Sequence, residues 1–166
     1  MRLVDGDGGE VLVGDPGEVV VHGPNVFAGY WHDDEATARA LPDDGWLRTG
    51  DVGVIEEDGE LRLVDRAKDL IIVSGFNVYP VEVEDVLRTH PDVADAAVVG
   101  EPSTRTGETV VAFVKPAPGS VIDPKSLAEH CARALSRYKC PSRYEVVDEL
   151  PRNLAGKLVR RELRSD

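Results

Sequence analysis

The run Leu63-Val-Asp-Arg-Ala-Lys-Asp-Leu-Ile-Ile-Val-Ser-Gly-Phe-Asn-Val-Tyr-Pro-Val-Glu-Val-Glu84 limits what this chain can fold into more than any other stretch. A charged turn, Asp65 to Asp69, separates two apolar strand-like runs, and a Ser-Gly turn follows. Pro80 then opens a helix, because proline pre-sets a helical φ and its missing N–H costs nothing in a first turn. Val83, Val86 and Leu87 repeat there at helical spacing. A chain patterned this way changes its architecture near residue 65.

Upstream of that point the pattern is short strands. Residues 2–22 alternate between apolar runs and turn chemistry at Asp5-Gly-Asp-Gly-Gly9 and Asp15-Pro-Gly17. Residues 18–22 form a strand ended by Gly23-Pro24, and Asp33 or Asp34 caps a short helix through Ala40. Residues 47–55 and 61–64 pair as a hairpin across Glu56-Glu-Asp-Gly59. These strands offer no evident core of their own.

Downstream, residues 70–73, 93–100, 110–115 and 144–147 have strand patterns, with a turn at 104–108. Helices are expected at 81–90 and from Asp123 to about Ser136, the second with Leu127, Cys131, Ala134 and Leu135 on one face; a basic helix closes the chain. The fold class is α+β. Residues 1–64 are a β-rich, incomplete piece; residues 65–166 form a small α+β domain with a three-stranded sheet, helices and a hairpin.

Charge is uneven. The net charge is −12, and residues 1–60 account for all of it with 15 acids against 3 bases. Residues 133–164 carry nine bases against four acids. A cationic end on an acidic protein suits a phosphorylated small molecule, whereas overall repulsion disfavours DNA. A solvated basic surface explains the same charges equally well. No apolar run approaches the eighteen residues of a membrane span, and the N-terminus lacks a signal-peptide pattern. Cys131 and Cys140 have no paired metal-ligand spacing and are expected as reduced thiols, which places the chain in the cytoplasm. His22, His32, His90 and His130 are scattered and suggest no metal site.

The 63–84 stretch resembles the segment joining the large and small domains of adenylate-forming enzymes, the superfamily of acyl-CoA synthetases, luciferases and peptide-synthetase adenylation domains. Two further pieces resemble that superfamily in the same order: Trp46-Leu-Arg-Thr-Gly-Asp51 and Pro151-Arg-Asn-Leu-Ala-Gly-Lys157. The phrasing Lys68-Asp-Leu-Ile-Ile-Val-Ser-Gly-Phe-Asn-Val-Tyr-Pro80 is closer to the CoA ligase branch than to peptide-synthetase domains. The resemblance implies that residues 1–64 end the large domain and that 65–166 are the complete C-terminal lid, with a hinge at 65–69. It places the phosphate loop and the adenine-binding segment upstream of Met1, so the fragment alone is expected to be inactive. It also implies that residues 1–60 expose apolar area that invites self-association.

By the same resemblance, Asp51 and Arg66 bind the ribose of the nucleotide, Lys68 is the hinge residue, and Ser74, Gly75 and Phe76 line the CoA tunnel. Asn77 stands where some members have arginine, so no phosphate contact carries over to it. Lys157 is the catalytic lysine that offsets charge as a carboxylate attacks the α-phosphate of ATP. Read without the resemblance, Asp51 is a strand cap, Arg66 pairs with Asp65 or Asp69, and Lys68 and Lys157 are solvated surface lysines. The implied activity is that of an ATP-dependent acyl-CoA synthetase acting on a carboxylic, fatty acid, with ATP, Mg2+ and CoA. Carrier-protein loading, acyl-AMP formation without a CoA step, and a non-catalytic interaction module remain alternatives.

Overall fold

The computed structural model describes residues 1–42 and 45–164. The chain divides into two compact units, Met1–Lys68 and Asp69–Asp166.

The first unit is a four-stranded antiparallel sheet with strands in chain order: β1 (Arg2–Val4), β2 (Pro16–Val21), β3 (Leu47–Ile55) and β4 (Leu61–Arg66). β2 starts inside the expected Asp15-Pro-Gly turn. Proline is tolerated as the first residue of a strand, where its missing N–H is not needed, and the turn itself closes earlier, with Asp15 N–H donating to Leu12 O at 3.0 Å. Helix α1 (Asp34–Ala40) is capped by Asp33, whose Oδ1 accepts from Ala36 N–H at 2.8 Å. Contrary to the expectation of no core, Leu3, Val4, Val19, Val20, Val52 and Val54 are buried on this sheet. Leu12, Val13 and Trp31 remain exposed, Trp31 at 88%.

In the second unit, β5 (Ile71–Val73) and β6 (Phe76–Val78) form a hairpin, and helix α2 (Pro80–Arg88) follows with Pro80 in its first turn. β7 (Val93–Ser103) and β8 (Gly107–Pro116) form the long central hairpin, and β9 (Arg143–Val146) lies parallel to β8. These strands join in one five-stranded sheet, so the three strands and the hairpin of the sequence reading are continuous. β7 and β8 run longer than expected because pairing continues to Ser103↔Gly107, leaving a turn of three residues. Helix α3 (Pro124–Ala134) is capped by Asp123.

Both faces of the central hairpin are covered. Ala96 and Val98 of β7 face α2 and α3 in a cluster with Ile71, Val83, Leu87, Leu127 and Cys131. Ala97 and Val99 face a second cluster with Phe113 and Leu150, against which Leu158 and Leu163 pack. That is why residues 96–99 are an unbroken apolar run rather than an alternating one. Ala134, expected on the buried face of α3, is exposed, since the helix ends there and Leu135 turns inward as its C-cap.

The basic closing helix does not form among the described residues. Only a 3-10 turn, Arg160–Glu162, is present. Leu158 and Leu163 tie this stretch to the sheet, and Arg160 is committed to an ion pair with α2. On the outer side of β7, Val98 N–H donates to Glu84 Oε1 at 2.9 Å, and Ala96 O accepts from Arg88 at 3.1 Å.

Candidate functional site

Asp51 sits in the middle of β3, not at a strand start. Thr49 Oγ1 donates to Val19 O at 2.7 Å, Gly50 N–H donates to Glu18 Oε1 at 3.1 Å, and Gly50 has φ +71. The β2–β3 register shifts at this point. A bulge that needs left-handed backbone therefore precedes Asp51, which explains the glycine in Thr-Gly-Asp. Asp51 stands opposite Arg66 on β4, and Arg66 Nε lies 2.8 Å from Asp51 Oδ1. Asp65 Oδ1 accepts the Arg66 backbone N–H at 2.8 Å. The Asp51 side chain keeps 32% of its surface and Arg66 53%. As a structural pair this contributes at most about 1 kcal/mol. Chemically it sets carboxylate acceptors beside a fork of donors, a set that fits the two hydroxyls of a ribose.

Lys68 lies in a 3-10 turn, Ala67–Asp69, directly after β4, which continues two residues past the expected boundary at 64. The next residue, Asp69, is held within the second unit: its carboxylate lies 3.5 Å from Arg160 and 3.6 Å from Arg164.

Ser74 and Gly75 are the two central residues of the β5–β6 hairpin, with φ +52 and +85. Positive φ at both positions marks the type I′ turn, whose twist matches paired strands. Serine in this region carries strain of about 1 kcal/mol. Beyond the turn, Phe76 is exposed and stacks on Tyr138 with centroids 4.8 Å apart. Ser74 borders a cavity of about 580 Å³ lined also by Arg105, Thr106, Arg137, Tyr138 and Ser142. The two arginines are additions to the sequence reading. They lie far apart in the chain, and nothing local marks them.

Lys157 is exposed at the end of an ordered turn. Asn153 Oδ1 accepts from both Ala155 N–H at 3.0 Å and Lys157 N–H at 2.9 Å. Asn153 N–H donates to Lys157 O at 2.9 Å, and Gly156 takes φ +76. Outside the turn, Val159 N–H donates to Pro151 O at 2.8 Å. The lysine head thus projects from a closed, self-bonded loop rather than a slack one.

Three residues further on, Arg160 forks onto Glu84 of α2: Nε donates to Oε1 at 3.0 Å and Nη2 to Oε2 at 2.9 Å. Glu84 is 2% exposed and also accepts from Val98 N–H and Arg88. Burial lifts its carboxyl above the ordinary carboxylate value, against the lowering by Arg160, Val98 N–H and Arg88. Asp95 goes the other way: burial alone would raise it, but hydrogen bonds from Arg152 and Arg88 hold it low. Sequence reasoning missed Glu84. The available signal was its spacing from Pro80 and Leu87, which places it on the core face of α2.

Cys131 and Cys140 are free, and burial pushes both thiols upward, which argues against a thiolate nucleophile. Among the described residues no three His, Cys, Asp or Glu side chains are grouped to hold a metal ion.

Residues 82–157 match the model of the AMP-binding enzyme C-terminal domain. The chain is similar along nearly its whole length to longer proteins, of which it corresponds to a part. It is 49% identical over all 166 residues to a long-chain-fatty-acid–CoA ligase of Yersinia pestis, covering 29% of that protein. It is 47% identical over 98% of its length to the fatty acid–[acyl-carrier-protein] ligase ScoC of Streptomyces coeruleorubidus, covering 31% of it. ATP-bound MatB of Rhodopseudomonas palustris superposes with a TM-score of 0.91 at 41% identity, over 98% of this chain and 33% of MatB. The chain therefore spans about a third of the length of these relatives.

Proposed function

We propose that the chain is the C-terminal part of an ATP-dependent acyl-CoA synthetase that activates a carboxylic acid, here a fatty acid, as acyl-AMP and passes the acyl group to CoA. The observation that carries this reading is the 49% identity to a long-chain-fatty-acid–CoA ligase along the whole chain. In the first half-reaction a carboxylate oxygen attacks the α-phosphorus of ATP and the bond to pyrophosphate breaks. Lys157 offsets the negative charge where these anions meet, while Asp51 accepts from the ribose hydroxyls and Arg66 orients Asp51. In the second, the CoA sulfur attacks the acyl carbon and AMP leaves. Residues Ser74, Gly75 and Phe76 approach the acceptor after a change of backbone angles at Lys68. The cavity beside Ser74, with Arg105 and Arg137 in its wall, supports an acceptor that carries phosphate.

A second reading keeps the first half-reaction and replaces CoA by a carrier protein; the 47% identity to ScoC favours it. The free cysteines support a reducing, cytoplasmic setting. Exposed Leu12, Val13 and Trp31 support a face of the first unit that is covered by another protein segment or a second copy.

The test uses the complete protein with ATP, Mg2+, a fatty acid, and either CoA or acyl-carrier protein, following pyrophosphate and thioester. In this assay Lys157→Ala slows acyl-AMP formation by on the order of 10²- to 10³-fold. It spares thioester formation from supplied acyl-AMP. Equal losses in both halves would overturn the assigned role of Lys157, and absence of pyrophosphate release in the parent would overturn the activity.

A further inference from the structure

The β5–β6 hairpin is joined to the rest of its sheet by very little main chain. β5 meets β8 at a single register pair, Val73↔Gly107, with Ser74 N–H donating to Thr106 O at 2.8 Å. In the β5–β6 ladder, Val73↔Phe76 closes the two-residue turn, so Ile72 at the next pair directs its N–H away from β6 and toward β8. There it meets a side chain rather than a strand. Ile72 N–H donates to Glu108 Oε2 at 2.7 Å.

Room for that carboxylate comes from a third strand. A Cβ on Gly100 of β7 would stand 2.6 Å from Glu108 Oε1 and 3.0 Å from Ile71 Cγ2. Gly100 is buried, and its φ lies outside the left-handed range, so its conformation does not demand glycine. Close approach does. Glu108, whose register partner on β7 is Pro102, thus reaches diagonally toward Gly100, with its carboxylate seated over the glycine and bonded to Ile72 of the hairpin.

We propose that Glu108 is a positioning residue for the transfer half-reaction: its carboxylate is the strut that sets where Ser74, Gly75 and Phe76 stand relative to the sheet. The inference rests on the function proposed above. Thr106 contributes to the same arrangement, because its hydroxyl donates to Glu108 O at 2.6 Å while its carbonyl holds Ser74 N–H. The far side of the hairpin is fixed by the Phe76–Tyr138 stack, so loss of the strut frees one side only.

Two measurements test this. Hydrogen exchange on the complete protein reads the strut directly. Glu108→Ala speeds exchange at the Ile72 amide on the order of 10- to 100-fold, as for loss of a hydrogen bond to a charged group. Amides at 111–114 keep their protection, which separates loosening from unfolding. Gly100→Ala, which displaces the carboxylate without removing it, produces the same local loosening. Glu108→Gln keeps an acceptor oxygen and restores most of the protection. In the complete protein, Glu108→Ala slows thioester formation from acyl-AMP roughly 10- to 100-fold, leaves acyl-AMP formation near the parent rate, and is rescued by Glu108→Gln. Unchanged Ile72 exchange in Glu108→Ala, or equal loss of both half-reactions, overturns the proposal. A parent protein that forms no thioester, with Ile72 loosened as stated, overturns the proposed function and supports the strut.

Discussion

Replacing Arg160 by methionine removes one half of a buried ion pair and keeps most of the apolar stem. Arg160 is 13% and Glu84 2% exposed, and the two share a two-pronged contact. Breaking such a pair from one side costs about 3–5 kcal/mol, because the remaining charge stays buried. Glu84 would retain Val98 N–H and Arg88, which places the loss near the lower end, about 3 kcal/mol. For a unit of this size that lowers the melting temperature by about 12 °C or more. The sign of the pH dependence follows from burial. The Glu84 carboxyl is already raised above its ordinary value of 4.5, so its contribution is full below that pH and is lost as pH rises through the raised folded value. Without Arg160 the folded value rises further, so the deficit of the variant is smallest in acid and grows toward pH 8. Adding Glu84→Gln to Arg160→Met recovers about half of the loss at pH 8. Both tryptophans, Trp31 and Trp46, belong to the first unit, so their fluorescence does not follow this change. Thermal melts read by hydrogen exchange at 96–99 and 111–114 do. A deficit that is the same at pH 5 and pH 8, or one below about 1 kcal/mol, would refute the reasoning.

Asn153→Ala removes the acceptor of two backbone N–H groups, and the Lys157 amide should exchange about tenfold faster with the sheet amides unaffected. Ser74→Asn places Asn-Gly in the type I′ turn and relieves serine of its left-handed φ; a rise in melting temperature of about 2–4 °C is expected by calorimetry. Lys68→Pro fixes φ near −65°, compatible with a 3-10 turn, and so holds the conformation described here. Single-turnover assays of the complete protein should then show one half-reaction kept and the other lost, whereas two unimpaired halves would remove Lys68 as the hinge residue.

What could be read in the sequence was local. Pro80 at a helix start, Asp33 and Asp123 as caps, and Ser74-Gly75 between apolar runs each state their geometry within a few residues. What could not be read depends on partners distant in the chain. Arg66 looked like a partner for its neighbours Asp65 or Asp69, yet antiparallel pairing sets it opposite Asp51. Arg160 looked like part of a basic helix, yet it is spent on Glu84, and the helix does not form among the described residues. Lys157 was legible as an exposed lysine after a glycine, but the stiffness of its loop comes from the Asn153 side chain, which composition does not reveal. The burial of six aliphatics on the first sheet was also invisible, since each strand alone is too short to show a face.

The contacts on the outside of β7 bear on how this protein behaves when crowded. A sheet grows between molecules when an edge strand offers free N–H and C=O groups to a strand of a neighbour. At β7 two of those groups are already taken, Val98 N–H by Glu84 and Ala96 O by Arg88. A foreign strand could add there only by displacing a buried carboxylate that Arg160 also holds. The same glutamate that anchors the C-terminal segment therefore also blocks strand addition at Val98 on the longest strand of the sheet, and its loss would leave that N–H open to a neighbouring strand as well as cost stability.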